Sequence, residues 1–467
     1  MIYVKALSHG TTLNSLMENI DLLRKYGLFD AKVPRYTSYP PANHFENGAG
    51  QKCQSDWLSA VPDGSDISVY IHIPFCKRLC WFCACRTQGT KTMRPVEAYI
   101  KVLRQEIRTL RATLAPGIKM ARLHLGGGTP TILTGRLMAS LLDEVFSAFP
   151  KADEFEFSVE IDPTEASHEL LETLVDYGFN RASLGVQDFA PIVQDAIGRP
   201  QTRQQTADVI QFLRDRGVAA VNLDLLYGLP RQTLQSFRQT LDDVIAMQPD
   251  RLAIYGYAHV PWMSKRQVMI KDDDLPDAQA RFQLAGIAQD VLNREGYLSI
   301  GIDHFALPTD TLATAQNQGR VRRNFQGYTD DQCDTLIGLG ASAISRFSEG
   351  YVQNAVATAA YQSRIEAQGL AGQKGYVMTP KDALLARVVE GLLCRFTFSS
   401  SALGQEFPEH ASTIRDLSVL LMRKFPEVFF ISGAGLEMNE WARPLVRIVA
   451  SCVDTFSDTK VGHSAAI

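Results

Sequence analysis

The chain of 467 residues contains no apolar run long enough to cross a membrane. Its first residues, Met1-Ile-Tyr-Val-Lys-Ala-Leu-Ser8, lack the layout of a secretory leader. Low-complexity tracts are absent, and so is any strong charge bias: 47 Lys and Arg against 51 Asp and Glu give a net charge of −4. That balance argues against a general nucleic-acid surface. The expected setting is therefore the reducing cytoplasm, with no membrane or nucleic-acid partner and a monomeric chain. Cysteine is scarce, with eight residues in all. Cys53, Cys333, Cys394 and Cys452 stand singly and read as small buried hydrophobes. No second Cys/His pair completes a structural zinc motif.

The other four cysteines fall within ten residues, Cys76-Lys-Arg-Leu-Cys80-Trp-Phe-Cys83-Ala-Cys85, at the end of the apolar run Ile67–Phe75. They mark the loop after a strand. In a reducing compartment such a cluster binds metal or does redox chemistry more often than it forms disulfides.

Hydrophobic content of 45% and charged content of 21% are ordinary for a globular protein, and the length suggests two to three domains. Short β-rich runs occur at Ile67–Phe75, Ala121–Gly128, Glu154–Pro163, Arg181–Phe189, Ala220–Pro230 and Arg251–Val260. Amphipathic helical stretches near 95–114, 135–149, 167–178, 202–217 and 233–247 separate them. This alternation predicts parallel strands joined by βαβ crossovers. Six repeats predict an incomplete (β/α)6 TIM-like barrel. A seventh run, Tyr297–Phe305, follows a helix near 276–295, and another helix is expected near 14–26. Thr379-Pro380-Lys-Asp382 announces the first helix of a C-terminal helix-rich unit. The resulting division is an N-terminal helical and extended segment (1–55), the barrel (56–305), a capping and connecting segment (306–374) and the C-terminal domain (375–467). The last dozen residues are expected to fray.

Polar residues recur at every second position of these strands: Tyr70 and His72; Glu154, Glu156, Ser158, Glu160 and Asp162; Ser183, Gly185 and Gln187; Asn222 and Asp224. Residues two apart share a strand face. Helices cover the outside of a parallel barrel, so the polar face lines the interior. A filled barrel would carry branched aliphatics there. The polar lining predicts a wider barrel holding a polar ligand near the strands' C-terminal ends.

For the cysteine loop, zinc lacks its second pair, and a thioredoxin-like Cys80-Trp-Phe-Cys83 leaves Cys76 and Cys85 unexplained. An iron–sulfur cluster fits best. Cys85 lies two residues after Cys83, a spacing that separates side chains on both strand and helix, so Cys76, Cys80 and Cys83 form a natural set of three. Three ligands would leave one iron open, as in catalytic metal sites.

C-x3-C-x2-C followed by a second strand ending Gly126-Gly-Gly-Thr-Pro130 resembles the radical SAM enzymes. The glycines would permit close backbone approach and supply N–H groups to a ligand. Pro34-Arg-Tyr-Thr-Ser-Tyr-Pro40, Tyr70-Ile-His-Ile-Pro-Phe-Cys76, Cys85, Asn180–Phe189, Asp224–Pro230, Asp303-His-Phe305 and Arg323–Thr329 resemble the oxygen-independent coproporphyrinogen III oxidases within that superfamily. The resemblance implies a radical SAM partial barrel that decarboxylates two propionates of coproporphyrinogen III to vinyls, giving protoporphyrinogen IX in haem biosynthesis. It implies a [4Fe-4S] cluster on Cys76, Cys80 and Cys83, with S-adenosylmethionine as the radical source and a reductant such as flavodoxin or ferredoxin. By position, Tyr70, Gly127, Glu160, Gln187, Arg199 and Asp224 would contact a first S-adenosylmethionine. Phe82, Gly128, Thr129, Ala258 and Ile344 would line the place of a second. Tyr70, Gln326 and Tyr328 are the candidate catalytic residues. Read alone, Arg199 is a surface turn cation and Arg322–Arg323 a solvated pair. The rival readings are a haem-transfer chaperone of the same superfamily and, from another class, a zinc-binding interaction protein.

Overall fold

Six of the expected runs form parallel strands that pair in chain order: β1 (Asp66–Ile73), β2 (Lys119–Gly127), β3 (Lys151–Ile161), β4 (Arg181–Gln187), β5 (Ala220–Tyr227) and β6 (Arg251–Gly256). The computed structural model describes residues 17–456 and 466–467. The first residues and the start of the helix expected near 14–26 lie outside them; what is described of that helix runs Ile20–Lys25.

The strands are parallel because each is covered on its outer face. Val69, Ile71, Leu123, Leu125, Phe157, Val159, Leu184, Leu223 and Leu225 belong to one continuous core and are almost completely buried. Helices α1 (Arg94–Thr113), α2 (Gly135–Ala148), α3 (His168–Asp176), α4 (Arg203–Arg214), α5 (Leu234–Ile245) and α6 (Ala278–Arg294) supply the covering layer. Five of them start at a side-chain cap, on Thr134, Ser167, Thr202, Thr233 and Asp277. Each cap satisfies an N–H that the first helical turn leaves unpaired.

The seventh run departs from expectation. It breaks at Gly301, where φ is +57°, into an antiparallel hairpin of Leu298–Ile300 with His304–Ala306. The hairpin pairs antiparallel with β6. The seventh parallel strand is instead β7 (Thr335–Leu339), which lies beside β1. Beyond β7 the sheet continues through Ile344–Phe347, Gly350–Asn354, Gly372–Val377 and Glu46–Asn47, making thirteen strands. Among the described residues its two ends do not pair, so the barrel is open as expected. Helix Ala49–Ala60 was not anticipated. It packs so closely on Gly372–Val377 that a Cβ on Gly50 would stand 2.2 Å from the Lys374 carbonyl oxygen.

The C-terminal unit opens with α7 (Pro380–Arg395), whose Thr379 and Asp382 form the expected reciprocal cap. Its core is separate from that of the barrel and takes in Leu23, Leu28, Val33, Tyr36 and Tyr39 from the N-terminal segment. Tyr36 Oη donates to Asp454 at 2.9 Å, and Arg447 Nη2 donates to the Val33 carbonyl at 2.6 Å. Most of the stretch expected to fray lies outside the described residues. Ala466 and Ile467, however, are buried, and the Ala466 N–H donates to the Ala31 carbonyl at 2.8 Å. Among the single cysteines Cys394 is buried as expected, whereas Cys53, Cys333 and Cys452 are only partly so. No helix among the described residues is long and apolar enough to cross a membrane.

Candidate active site

The inward side chains of the strands surround a cavity of about 880 Å³. Tyr70, His72, Glu156, Ser158, Glu160, Asp162, Ser183, Gly185, Gln187, Asn222 and Asp224 all line it. The polar alternation therefore faces inward as expected, except at Glu154, which is exposed to solvent. At the opposite end from the cysteine loop, Arg181 bonds Glu156 at 2.8 Å, and Arg251 bonds Asp310 at 2.6 Å.

The cysteine loop is pinned through its main chain. Phe75–Cys76 pairs with Gln88–Gly89, which closes the base of the loop. Trp81 N–H donates to the Ile197 carbonyl at 2.9 Å, and Gln267 Nε2 donates to the Phe82 carbonyl at 2.7 Å. Ser264 Oγ donates to the Cys83 carbonyl at 2.9 Å, and Arg266 to the Thr87 carbonyl at 2.6 Å. With the backbone so occupied, Cys76, Cys80, Cys83 and Cys85 all face the cavity. Among the described residues no three Cys, His, Asp or Glu side chains converge tightly enough to hold a single metal ion. The thiols border a space, not a point.

Cys85 corrects the directional argument made from spacing. The chain turns between Cys80 and Cys85, and the Cys85 N–H donates to Cys83 Sγ at 3.4 Å. The Cys85 thiol hydrogen bond is the chief reason the Cys83 thiol is drawn down to about 6. Burial pushes the Cys76 thiol up to about 11.

Tyr70 and His72 form a defined pair. His72 Nε2 lies 3.1 Å from the Arg86 carbonyl, which can only accept, so this nitrogen carries the proton. Nδ1 is then the acceptor for Tyr70 Oη at 3.0 Å. Burial holds His72 below its usual range and thus neutral. Beside them His124, which sequence reasoning overlooked, stacks on Tyr70 at 5.8 Å and reaches Glu160 Oε1 at 3.4 Å. Its signal was present: His124 is two residues before Gly126 on the inner face of β2.

Glu160 accepts from the Gly127 N–H at 3.0 Å, while its side chain stays 41% exposed to the cavity. Enclosure opposes its ionisation, but the His124 and Gly127 bonds outweigh it and hold the carboxyl below its usual range. Asp224 accepts from Asn222 Nδ2 at 2.8 Å and Ser183 Oγ at 3.1 Å. Burial dominates there and, with the nearby Glu160 charge, pushes this carboxyl up to about 6.

Arg199 is no surface cation. It is 8% exposed, pairs with Asp162 at 3.0 Å, and donates to the Gly185 carbonyl at 2.9 Å and to Cys80 Sγ at 3.5 Å. The short helix Pro191–Ile197 delivers it through Gly198, whose φ of +64° and closeness to Trp81 suit only glycine. Among the described residues, Arg199 Nε and Asn222 Oδ1 are buried without a hydrogen-bond partner.

Gly127 and Gly128 serve approach, not donation. A Cβ on Gly127 would lie 2.6 Å from the His72 ring, and one on Gly128 would lie 2.6 Å from the Phe75 carbonyl oxygen. Their N–H groups are already taken, by Glu160 and by the Ile73 carbonyl, and Thr129 N–H by the Phe75 carbonyl. The expectation that the glycines donate to a ligand is therefore overturned for Gly127 and Gly128.

Phe82, Gly128, Thr129, Ala258 and Ile344 line the same cavity, as do Gln187, Gln326 and Tyr328. The Tyr328 hydroxyl points elsewhere: it donates to the Leu393 carbonyl at 2.7 Å and accepts from Ile302 N–H at 3.2 Å. Arg323 is not solvated. Its side chain is 6% exposed and pairs with Asp303 at 3.3 Å. Arg322, by contrast, meets Asp334 near the surface at 3.4 Å.

This donor set suits an iron–sulfur cluster with a zwitterionic ligand: the loop thiols, a buried guanidinium, two carboxylates, and the orphaned Arg199 Nε and Asn222 Oδ1 all line one cavity. Comparison with known proteins adds four findings. The Radical SAM superfamily matches residues 70–244. The oxygen-independent coproporphyrinogen III oxidase of Paracoccus denitrificans (strain Pd 1222) is 46% identical over 451 residues, spanning 97% of this chain and 100% of that protein. That of Escherichia coli (strain K12) is 36% identical over 440 residues, spanning 94% and 95%. The solved structure of coproporphyrinogen III oxidase from Escherichia coli, described as a radical SAM enzyme, superposes with a TM-score of 0.86 at 34% identity, covering 91% of this chain and 100% of that one.

Proposed function

The chain belongs to the oxygen-independent coproporphyrinogen III oxidases of the radical SAM superfamily, and from this we propose how its own residues carry the reaction. The enzyme converts two propionates of coproporphyrinogen III to vinyls, giving protoporphyrinogen IX. For each propionate one hydrogen atom is abstracted, one electron passes to an acceptor, and CO2 leaves. A [4Fe-4S] cluster with S-adenosylmethionine, when bound, supplies the abstracting radical.

Cys76, Cys80 and Cys83 hold the cluster, and Cys85 steadies Cys83 from the side. Glu160 and Asp224 accept from the ammonium and hydroxyl groups of S-adenosylmethionine, while Tyr70 and Gln187 border it. Arg199 sets the charge beside Cys80. Phe82, Gly128, Thr129, Ala258 and Ile344 would hold a second molecule of S-adenosylmethionine. Gln326 faces the substrate, and Tyr328 acts through its ring. A small low-potential donor of the flavodoxin or ferredoxin type reduces the monomeric enzyme in the cytoplasm. Residues 56–305 bear the cluster and S-adenosylmethionine sites, 306–374 complete a wall of the cavity and carry Gln326 and Tyr328, and Arg35 of the N-terminal segment borders it. The observation that carries this reading is the single cavity shared by the thiols, Glu160, Asp224 and Arg199.

The test supplies anaerobically reconstituted, reduced protein with S-adenosylmethionine and coproporphyrinogen III, and follows protoporphyrin after oxidation of the product. Vinyl product with stoichiometric 5′-deoxyadenosine is expected. Tight haem binding with no product would overturn the reading in favour of a haem-transfer chaperone.

A further inference from the structure

One constellation in the cavity is not used by the reaction as described. His304 lies in the hairpin beside β6, and its Nδ1 is 2.7 Å from Asp303 Oδ1. Asp303 also pairs with Arg323, whose guanidinium lies 4.4 Å above the Tyr328 ring. Both of these charges are deeply buried, and each answers the other. Although burial opposes it, Arg323 and the bond from His304 hold Asp303 far below the usual carboxylate range. Asp303 is therefore an acceptor only, so His304 carries its proton on Nδ1. Burial keeps the ring neutral. The remaining nitrogen, Nε2, is a bare acceptor.

Nε2 faces open space. His304 and Tyr255 both line the large cavity, and among the described residues neither Nε2 nor Tyr255 Oη has a hydrogen-bond partner. The ring is clamped edge-on between Tyr255, at 5.6 Å, and Tyr328, at 5.2 Å. Gly327 keeps the approach clear: at its φ of +124°, a Cβ would lie 3.0 Å from both His304 Nε2 and Tyr255 Oη. An oriented acceptor that borders the cavity with no protein partner is open to a donor that a ligand brings. A neutral imidazole backed by a carboxylate does not attract a propionate. What it suits is an N–H.

We propose that His304 Nε2 accepts a hydrogen bond from a pyrrole N–H of the tetrapyrrole substrate, with Asp303 and Arg323 as the positioning residues behind it. The inference rests on the coproporphyrinogen reading above. It also gives His304 a part in the chemistry. Once the propionate has lost a hydrogen atom, the remaining electron must leave for a one-electron acceptor as CO2 departs. Positive charge then grows on the adjacent pyrrole, its N–H becomes a stronger donor, and the bond to Nε2 strengthens in the transition state. The N–H proton stays on nitrogen, and no net proton transfer is needed.

Two variants of the full-length, anaerobically reconstituted enzyme separate this role from support of the fold. His304→Asn keeps an amide donor toward Asp303 but offers nothing at the Nε2 position. His304→Gln reaches that position with an amide oxygen. With the cluster absorption unchanged, His304→Asn is expected to lower kcat for coproporphyrinogen III by about 100-fold, the scale of one lost transition-state hydrogen bond, with a smaller change in KM. His304→Gln is expected to recover at least about tenfold of that loss. Wild-type kcat/KM in His304→Asn, His304→Gln no better than His304→Asn, or loss of the cluster in His304→Asn would each overturn the proposal. A wild-type enzyme that makes no vinyl product would instead sink the functional reading itself.

Discussion

The cysteine loop and the strand wall facing it use polar groups in opposite ways. In the loop the main-chain carbonyls of Phe82, Cys83, Arg86 and Thr87 are tied down by Gln267, Ser264, His72 and Arg266, while the thiols stay open to the cavity. On the wall the side chains bond one another and the main chain: Glu160 to His124 and the Gly127 N–H, Asp224 to Ser183 and Asn222, Arg199 to Asp162. The wall is thus organised before any ligand arrives, and its contribution is preorganisation. The loop holds its backbone in place and leaves its functional atoms for a cluster to complete.

Breaking the loop should have the largest effect. Cys80→Ser removes a ligand and is expected to abolish both the visible absorption of the reconstituted cluster and product formation. Cys85→Ser leaves the three proposed ligands and should keep the absorption, with product formation reduced by no more than about tenfold, the scale of one hydrogen bond. Equal loss of absorption in the two variants would make Cys85 a ligand, and the distinction drawn inside the loop would fail.

The wall should respond by degrees. Glu160→Gln keeps an acceptor for the Gly127 N–H but removes the charge, and S-adenosylmethionine binding by calorimetry is expected to weaken about 10- to 100-fold. Asp224 adds a pH signature. Its carboxyl is pushed up to about 6 by burial, with Glu160 adding to the shift, so it gains a proton as pH falls through that value. Binding through an ionised Asp224 should therefore weaken below about pH 6, and Asp224→Asn should flatten that limb. A pH-independent affinity in the wild type would show that Asp224 plays no ionised part.

How far these two regions could be read from sequence follows from their physics. The wall was legible because alternation along a strand fixes the side a residue faces, and the covering helices announce themselves by period and by caps such as Thr202 and Thr233. The loop obeys no period. Spacing misdirected Cys85, and no local pattern could show that Gly127 and Gly128 spend their N–H groups inside the protein. The strands of 335–377 were missed because their order in the sheet depends on long-range pairing, with β7 reaching β1 across more than the whole strand–helix repeat. Arg199 and Arg323 look like surface cations in one dimension. Only the fold supplies Asp162 and Asp303.

A third group, remote from both regions, tests whether the wall's order is also held from behind. Glu106 on α1 is fully buried and accepts from Tyr361 Oη at 2.7 Å, Gly340 N–H at 2.8 Å and Asn354 Nδ2 at 2.8 Å. Through Gly340 it supports the turn from β7 toward Ile344. Burial, only partly offset by the three bonds, pushes its carboxyl up to about 7 from an ordinary 4.5. A carboxyl raised in the folded state binds its proton more tightly there than in the unfolded chain. Its contribution to stability is therefore fully present below about pH 4.5 and is lost as pH rises through about 7. The amount is on the order of 3 kcal/mol. Glu106→Gln cannot titrate, so the thermal midpoint of the wild type relative to this variant should fall by a few degrees between about pH 5 and pH 8. A constant difference across that range would mean that Glu106 does not titrate with folding, and the wall would then owe its order to its own hydrogen bonds alone.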